Sequence, residues 1–334
     1  MLGIMSLLLV STQIASARTI QTQKPIVKTD STRPVLYRQQ EAELGITGGI
    51  LKGTLFIPTN VKRPPVVLII AGSGPTDRDG NSPMLPGKNN SLLQLADSLA
   101  VHGIATLRYD KRGIAKSQIK ELREENMRFS DGVDDAIGWI RWLRQQGFRK
   151  IYVAGHSEGS LVGLGAGQTE KISGFISIAG AGRPIDKILR EQFAAGGGPD
   201  SLKKLASRYL DTLLMGQRIA KPHPLLFSVF RPSVQPYMIS WLRYDPQALI
   251  QALKCPALLV QGTNDLQIKE TDAQALAKAN PRAKLVLIEH MNHVFKKIDS
   301  PSPAINMASY SNPKLPVMTE LVTAITKFVK NKFN

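Results

Sequence analysis

The sequence predicts an α/β fold: a mainly parallel central sheet with helices on both faces and a helical segment inserted between two late strands. Three observations carry that expectation. Short apolar runs without alternation, such as Val66 to Ile70, read as strands buried on both faces. Helix-like segments alternate with them, and this β-α-β alternation implies a mainly parallel sheet covered by helices on both faces. One long stretch, Arg183 to Lys254, breaks the rhythm and is too long for a plain connection.

The elements follow in order. "GGILKGTLFIP" predicts two short strand segments separated by glycine and ended by Pro58, and "PPVVLIIAGSG" carries the first buried strand. "SLLQLADSLAVHG" has helical periodicity, with His102 at its end and Gly103 as its stop. "IATLRYD" is a strand. "SDGVDDAIGWIRWLRQQG" is a helix, with Ser130 expected as N-cap and Gly147 as stop. "KIYVAG", "GFISIAG", "PALLVQG" and "KLVLIE" complete the strands, with a helix over Lys269 to Ala279 between the last two. Within Arg183 to Lys254, "DSLKKLASRYLDTLLM" is an amphipathic helix, and "KPHPLL" and "FRPSVQP" are proline-rich joints. The expected organisation is therefore a core over 41–182 and 255–334, with a helical cap over 183–254. The cap's apolar residues Tyr209, Leu213, Leu214, Phe227, Phe230, Tyr237 and Trp241 are expected to pack it onto the core, a minority of them lining a pocket.

Composition limits the function classes. Of 334 residues, 43% are hydrophobic, which fits a globular domain. The net charge is +17, but its basic residues are spread along the chain rather than in blocks, and no nucleic-acid-binding signature is visible. The charge reads as a solvated basic surface, and no specific nucleic-acid partner is expected. Cys255 is the single cysteine, so no intramolecular disulfide and no cysteine-rich zinc site is possible.

At the N-terminus, "MLGIMSLLLVSTQIASA" ends in Ala15-Ser16-Ala17 after a short apolar run. This pattern predicts a cleaved signal peptide over 1–17 and an exported chain, followed by a polar segment over 18–40. No basic residue precedes the apolar run, which departs from the usual pattern. No apolar run reaches the roughly 20 residues of a membrane-spanning helix.

The chemistry centres on "IYVAGHSEGSLVGLGAG", where Ser157 sits between Gly155 and Gly159 at the junction of a strand and a helix. A sharp strand-to-helix turn of this kind crowds the backbone. The two glycines would allow the close approach, and Ser157 would project above the strand end at a helix N-terminus. A neutral serine needs a base, and the base needs an orienting acid. Asp265 in "GTNDLQI" and His293 in "HMNHVF" each follow a strand, at the sheet edge where Ser157 must lie. His290 is the competing base, three residues earlier and nearer the strand. His156 is expected to pack, and Asp272 to lie on a helix surface. An oxyanion would be met by the Glu158 N–H and by an N–H of "AGSGPTDRDGN", with Ser73 first and Gly74 second.

These stretches, with "LRYDKRGIAKS", resemble in kind and order the α/β-hydrolase fold family, and within it bacterial carboxylesterases with a serine-aminopeptidase-like core. The resemblance spans roughly residues 45 to 332 and implies a serine hydrolase of small-molecule esters of short to medium acyl chain, with no cofactor and no metal. A peptidase, an acyltransferase and a non-catalytic binder on the same scaffold are the alternatives. Ala115 stands where similar proteins often carry glycine. Asp110 and Arg112 are expected to pair and hold that corner, and Asp77, Arg78 and Asp79 to brace the oxyanion loop.

Overall fold

The structure is a computed structural model and describes residues 36–331. The expected signal peptide and most of the polar segment after it lie outside the described residues.

β1, Tyr37–Ile46, is not among the strands expected from the sequence and begins inside the polar segment expected over 18–40. Only Ala42 of it is buried. Its charged sequence gives almost no apolar signal, and it forms a polar edge strand, where such residues discourage further pairing. It turns through Gly48 at φ 82° into β2, Gly49–Pro58. β2 is one continuous strand, not two segments. Its Gly53 sits at a close approach: a Cβ there would lie 3.0 Å from the Arg108 carbonyl oxygen and 3.2 Å from the Trp139 ring.

The remaining strands are β3 (Val66–Ile70), β4 (Ala105–Tyr109), the short β5 (Gln118–Ile119), β6 (Ile151–His156), β7 (Gly174–Ile178), β8 (Ala257–Gly262) and β9 (Lys284–Ile288). All nine form a single sheet in the order β1-β2-β4-β3-β6-β7-β8-β9, with β5 on β2. From β4 to β9 every pairing is parallel. The non-alternating apolar runs are explained by what covers the two faces. Val66, Leu68 and Ile70 face the cluster built by α2 (Phe129–Gln145), α3 (Glu158–Thr169) and α9 (Glu270–Ala279). Val67 and Ile69 face α1 (Ser91–Val101) and α11 (Thr319–Val329).

α2 starts one residue before the expected cap, and Ser130 lies inside it. The Arg128 N–H donates to Asp131 Oδ2 at 2.7 Å, and the Phe129 N–H to Ser240 Oγ at 2.7 Å. A tertiary partner thus satisfies a helix-end donor that the local sequence offered to Ser130.

Between β7 and β8 lie α4 (Ile185–Ala195), α5 (Asp200–Leu214), α6 (Phe227–Phe230), α7 (Gln235–Trp241) and α8 (Pro246–Ala252). α4 to α7 share their own apolar cluster, which includes Leu189, Leu210, Leu213 and Phe230. α8 instead sends Ile250 into the cluster under the sheet. The segment is anchored at its start by Arg183, whose Nη2 lies 2.9 Å from Asp272 Oδ2. Asp272 is therefore buried, at 1% exposure, and not the surface residue expected from its helix position. Its carboxylate also accepts from the Gly182 N–H, because the chain leaving β7 is pressed against α9. α10 (Pro303–Ala308) precedes α11. Among the described residues, no helix is long and apolar enough to cross a membrane.

Candidate active site

The site begins where β6 runs into α3. Ser157 holds φ 55° and ψ −121°, a conformation that costs a non-glycine residue about 1–3 kcal/mol. Its neighbours explain why the turn can form. A Cβ on Gly155 would lie 2.1 Å from the Gly159 carbonyl oxygen, and one on Gly159 would lie 2.5 Å from that of Ile70. Both positions therefore exclude any side chain. The Ser157 N–H is tied to the Ile178 carbonyl at 3.0 Å, leaving its side chain at the sheet edge as the free part.

The loop after β3 crosses in front of Ser157. A Cβ on Gly72 would lie 3.2 Å from Ser157 Cβ. Among the described residues, the N–H groups of Ser73 and Glu158 have no protein acceptor. They remain available to an oxyanion, the role expected of both. The loop is braced by charge: Arg78 Nη2 donates to Asp110 Oδ2 and its backbone N–H to Asp110 Oδ1, both at 2.8 Å. Asp77 Oδ1 accepts from the Asp79 and Asn81 N–H groups, and Asp79 pairs with Arg108 at 3.1 Å.

Asp110 and Arg112 do not pair with each other. Arg112 Nη2 reaches Asp135 Oδ1 on α2 at 2.7 Å. A tight turn after β4 points the two side chains apart, Asp110 to the oxyanion loop and Arg112 to α2. Ala115 takes φ 46° in this corner, the left-handed conformation that glycine would adopt more cheaply.

Asp265 and His293 meet as expected. His293 Nδ1–H donates to Asp265 Oδ2 at 2.8 Å, with side chains only 5% and 1% exposed. Asp265 also accepts from the Gln267 and Ile268 N–H groups at 2.7 and 3.0 Å, and from Gln261 Nε2 at 3.2 Å. Burial opposes ionisation of this carboxyl, but the His293 charge and these hydrogen bonds outweigh it and hold its pKa below the usual range. An ionised Asp265 fixes the proton on Nδ1 and leaves Nε2 open. The His293 loop is set by Asn292, whose Oδ1 accepts from the Val294 and Lys296 N–H groups. Sequence reasoning missed Asn292, because its partners appear only when the loop closes.

The last link is not closed: among the described residues, no hydrogen bond joins Ser157 Oγ to His293. Contacts of this kind tighten when substrate binds. Proximity is carried by His156, next to Ser157 in the chain, whose ring centroid lies 4.7 Å from that of His293. His290 is elsewhere: its side chain is 51% exposed, with Nδ1 3.7 Å from Asp299.

His156 packs, as expected. It is buried, and its Nε2–H donates to the His293 carbonyl at 2.9 Å. Burial first, and the His293 charge second, push its pKa from 6.5 down to about 3. The unfolded chain therefore takes up a proton that the folded chain refuses, and folding stability falls as pH drops from about 6.5 towards 3. Urea unfolding should show the native chain losing about 2 kcal/mol more than His156→Gln between about pH 7.5 and about pH 5. Equal losses would show that His156 is not the buried neutral group.

A cavity of about 350 Å³ opens beside Ser73, Gly74 and Glu158 and extends under α7. Its walls are largely apolar, with Val162, Leu189, Val234, Met238, Tyr237 and Trp241 among them. Of the seven cap residues expected to pack or to line a pocket, only Tyr237 and Trp241 line it. Leu213 and Phe230 are fully buried in the inserted segment's own cluster, and Tyr209 packs against it. Leu214 and Phe227 are exposed at 47% and 45%. Helical periodicity gives the angle of a side chain around its axis but not which neighbour it meets. Among the described residues, no group of His, Cys, Asp and Glu side chains is arranged to hold a metal ion.

Comparison with known proteins bears on the fold. A family model described as serine aminopeptidase, S33, matches residues 88–246, a range that contains Ser157 but neither Asp265 nor His293. The esterase EstD of Thermotoga maritima is 24% identical over 270 residues, 76% of this chain. The chain spans 60% of the length of that curated relative. An esterase structure from Pyrococcus furiosus superposes with a TM-score of 0.57 at 16% identity, covering 96% of this chain and 98% of that one. Est1E from Butyrivibrio proteoclasticus gives 0.55 at 16% identity, covering 87% and 98%.

Proposed function

We propose that this chain, an α/β hydrolase by fold and esterase-like in its relatives, hydrolyses carboxylic esters of short to medium acyl chain through an acyl-Ser157 intermediate. The observation that carries the reading is the buried Asp265–His293 hydrogen bond beside a serine held at positive φ on a glycine-flanked turn. His293 Nε2 takes the Ser157 Oγ proton as Oγ attacks the ester carbonyl. The resulting oxyanion is met by the Ser73 and Glu158 N–H groups. Collapse expels the alcohol, which receives the proton from His293. Water then enters, is deprotonated by the same Nε2, and releases the acid.

The matched family's description favours a second reading, an aminopeptidase. Such an enzyme must hold a substrate ammonium, which needs an uncommitted carboxylate. The cavity carboxylates are engaged: Asp135 and Asp131 with Arg112, Glu124 with Arg231, and Glu158 with Tyr237. This supports the ester reading. The deciding test is a panel of p-nitrophenyl esters and aminoacyl anilides: faster turnover of the anilides would reverse the order.

The cavity is the proposed acyl site. Trp241→Ala and Met238→Ala remove wall atoms that a long chain would touch and a short one would not. Each should lower kcat/KM for an octanoate ester about tenfold while acetate stays within about threefold. Leu213→Ala should instead cost about 2–5 kcal/mol of stability and leave the chain-length profile unchanged. A uniform fall across all esters for Trp241→Ala and Met238→Ala would remove the cavity from the acyl site.

A further inference from the structure

Lys111, at the turn that follows β4, has no part in the proton relay, yet its ammonium is directed at the site. Its Nζ donates to the Gly72 carbonyl oxygen at 2.5 Å. It lines the cavity beside Ser73 and Glu158, and no carboxylate of the described residues lies within ion-pair distance of it. Burial lowers its pKa, and the Glu158 carboxylate opposes that shift. The Glu158 charge offsets part of the cost of burying this cation, and among the described residues its one hydrogen bond goes to a backbone carbonyl, which needs a reason.

The reason lies in the peptide that Lys111 grips. The Gly72 C=O and the Ser73 N–H belong to one planar trans unit, so they point in opposite directions. Holding the oxygen on the Lys111 side turns the Ser73 N–H the other way. A Cβ on Gly72 would crowd Ser157 Cβ, and among the described residues the Ser73 N–H has no acceptor. A cation on the carbonyl also polarises the amide and makes its N–H a stronger donor.

We infer that Lys111 is a positioning residue of the oxyanion hole, which aims and polarises the Gly72–Ser73 peptide so that the Ser73 N–H stabilises the transition state rather than the bound ester. This inference rests on the serine-hydrolase reading of the site.

The full chain is compared with Lys111→Met and Lys111→Arg. Removing an entire oxyanion donor costs about 10²–10³ in kcat, so loosening one should cost about 10- to 100-fold. In Lys111→Met, kcat should fall by that factor with KM within about twofold. The inhibition constant of a trifluoromethyl ketone matching the ester should rise by the same factor, since it mimics the tetrahedral state. The matching alcohol product should bind unchanged, and Lys111→Arg should recover most of the kcat. A Lys111→Met enzyme that binds the ketone as tightly as the native one overturns the inference. So does one that loses ketone and product affinity equally, which would mean a merely structural corner. Fluorophosphonate labelling separates the two levels. Native protein labelled at Ser157 with an indifferent Lys111 sinks this inference alone, whereas unlabelled native protein sinks the site reading and this inference with it.

Discussion

Replacing Ser157 with alanine should abolish labelling by a fluorophosphonate probe and lower kcat on esters by on the order of 10⁶. The size of the effect follows from what the turn is built to do. Two positions exclude any side chain, at Gly155 and Gly159, and Ser157 itself bears a strained backbone. A fold that keeps such strain spends stability to place one oxygen at the sheet edge. Alanine fits the same backbone at similar cost, so the variant should melt within a few degrees of the native chain. The comparison therefore isolates the hydroxyl. Labelling that persists in Ser157→Ala, or that maps by mass to another serine, would reject the nucleophile.

His293→Ala should remove nearly all turnover, by a factor approaching that of the serine, because residues that act as a unit fail together. His290→Ala should retain most of it. The contrast is a geometric one between two imidazoles three residues apart. His293 is buried and donates to a carboxylate whose pKa is lowered, against its burial, by the His293 charge and hydrogen bond first and by the Ile268 and Gln267 N–H groups after it. His290 takes φ 61° and turns its half-exposed ring towards Asp299, also exposed. Asp265→Asn should cost less than His293→Ala, on the order of 10⁴, since it removes orientation and charge but leaves the base in place. Steady-state rates of the three variants on one ester check the ranking. Should His290→Ala prove the deeper loss, the base assignment moves to His290 and the buried hydrogen bond becomes a structural one.

How much of this was legible in the chain differs by element. The strands β3, β6, β7 and β8 show in the sequence because both their faces are covered, so an unbroken apolar run is the signature of their burial. β1 does not show, because an exposed edge strand is held by its backbone pairing with β2, and backbone groups leave no mark in residue type. Ser157, Asp265 and His293 are legible for a related reason. Each needs one chemical type at one place, at the end of a strand where a side chain can leave the sheet.

Pairing was not legible wherever the partner is distant in sequence. Asp110 takes Arg78 rather than Arg112, Asp272 is buried by Arg183, and the N-terminus of α2 is satisfied by Ser240. Nothing in the local sequence sets Lys111 apart from the other basic residues; only the loop after β3 lays the Gly72 carbonyl across it. By itself the sequence determined the fold class and the order of the buried strands along the chain, and it singled out Ser157, Asp265 and His293 as candidates at strand ends. Those depend on local periodicity, on small residues at a crowded turn and on chemistry tied to residue type. Only the tertiary structure decided which charges pair, which helix side chains line the cavity and which backbone N–H groups stay unpaired. These are set by contacts between segments tens to hundreds of residues apart, for which no local pattern exists.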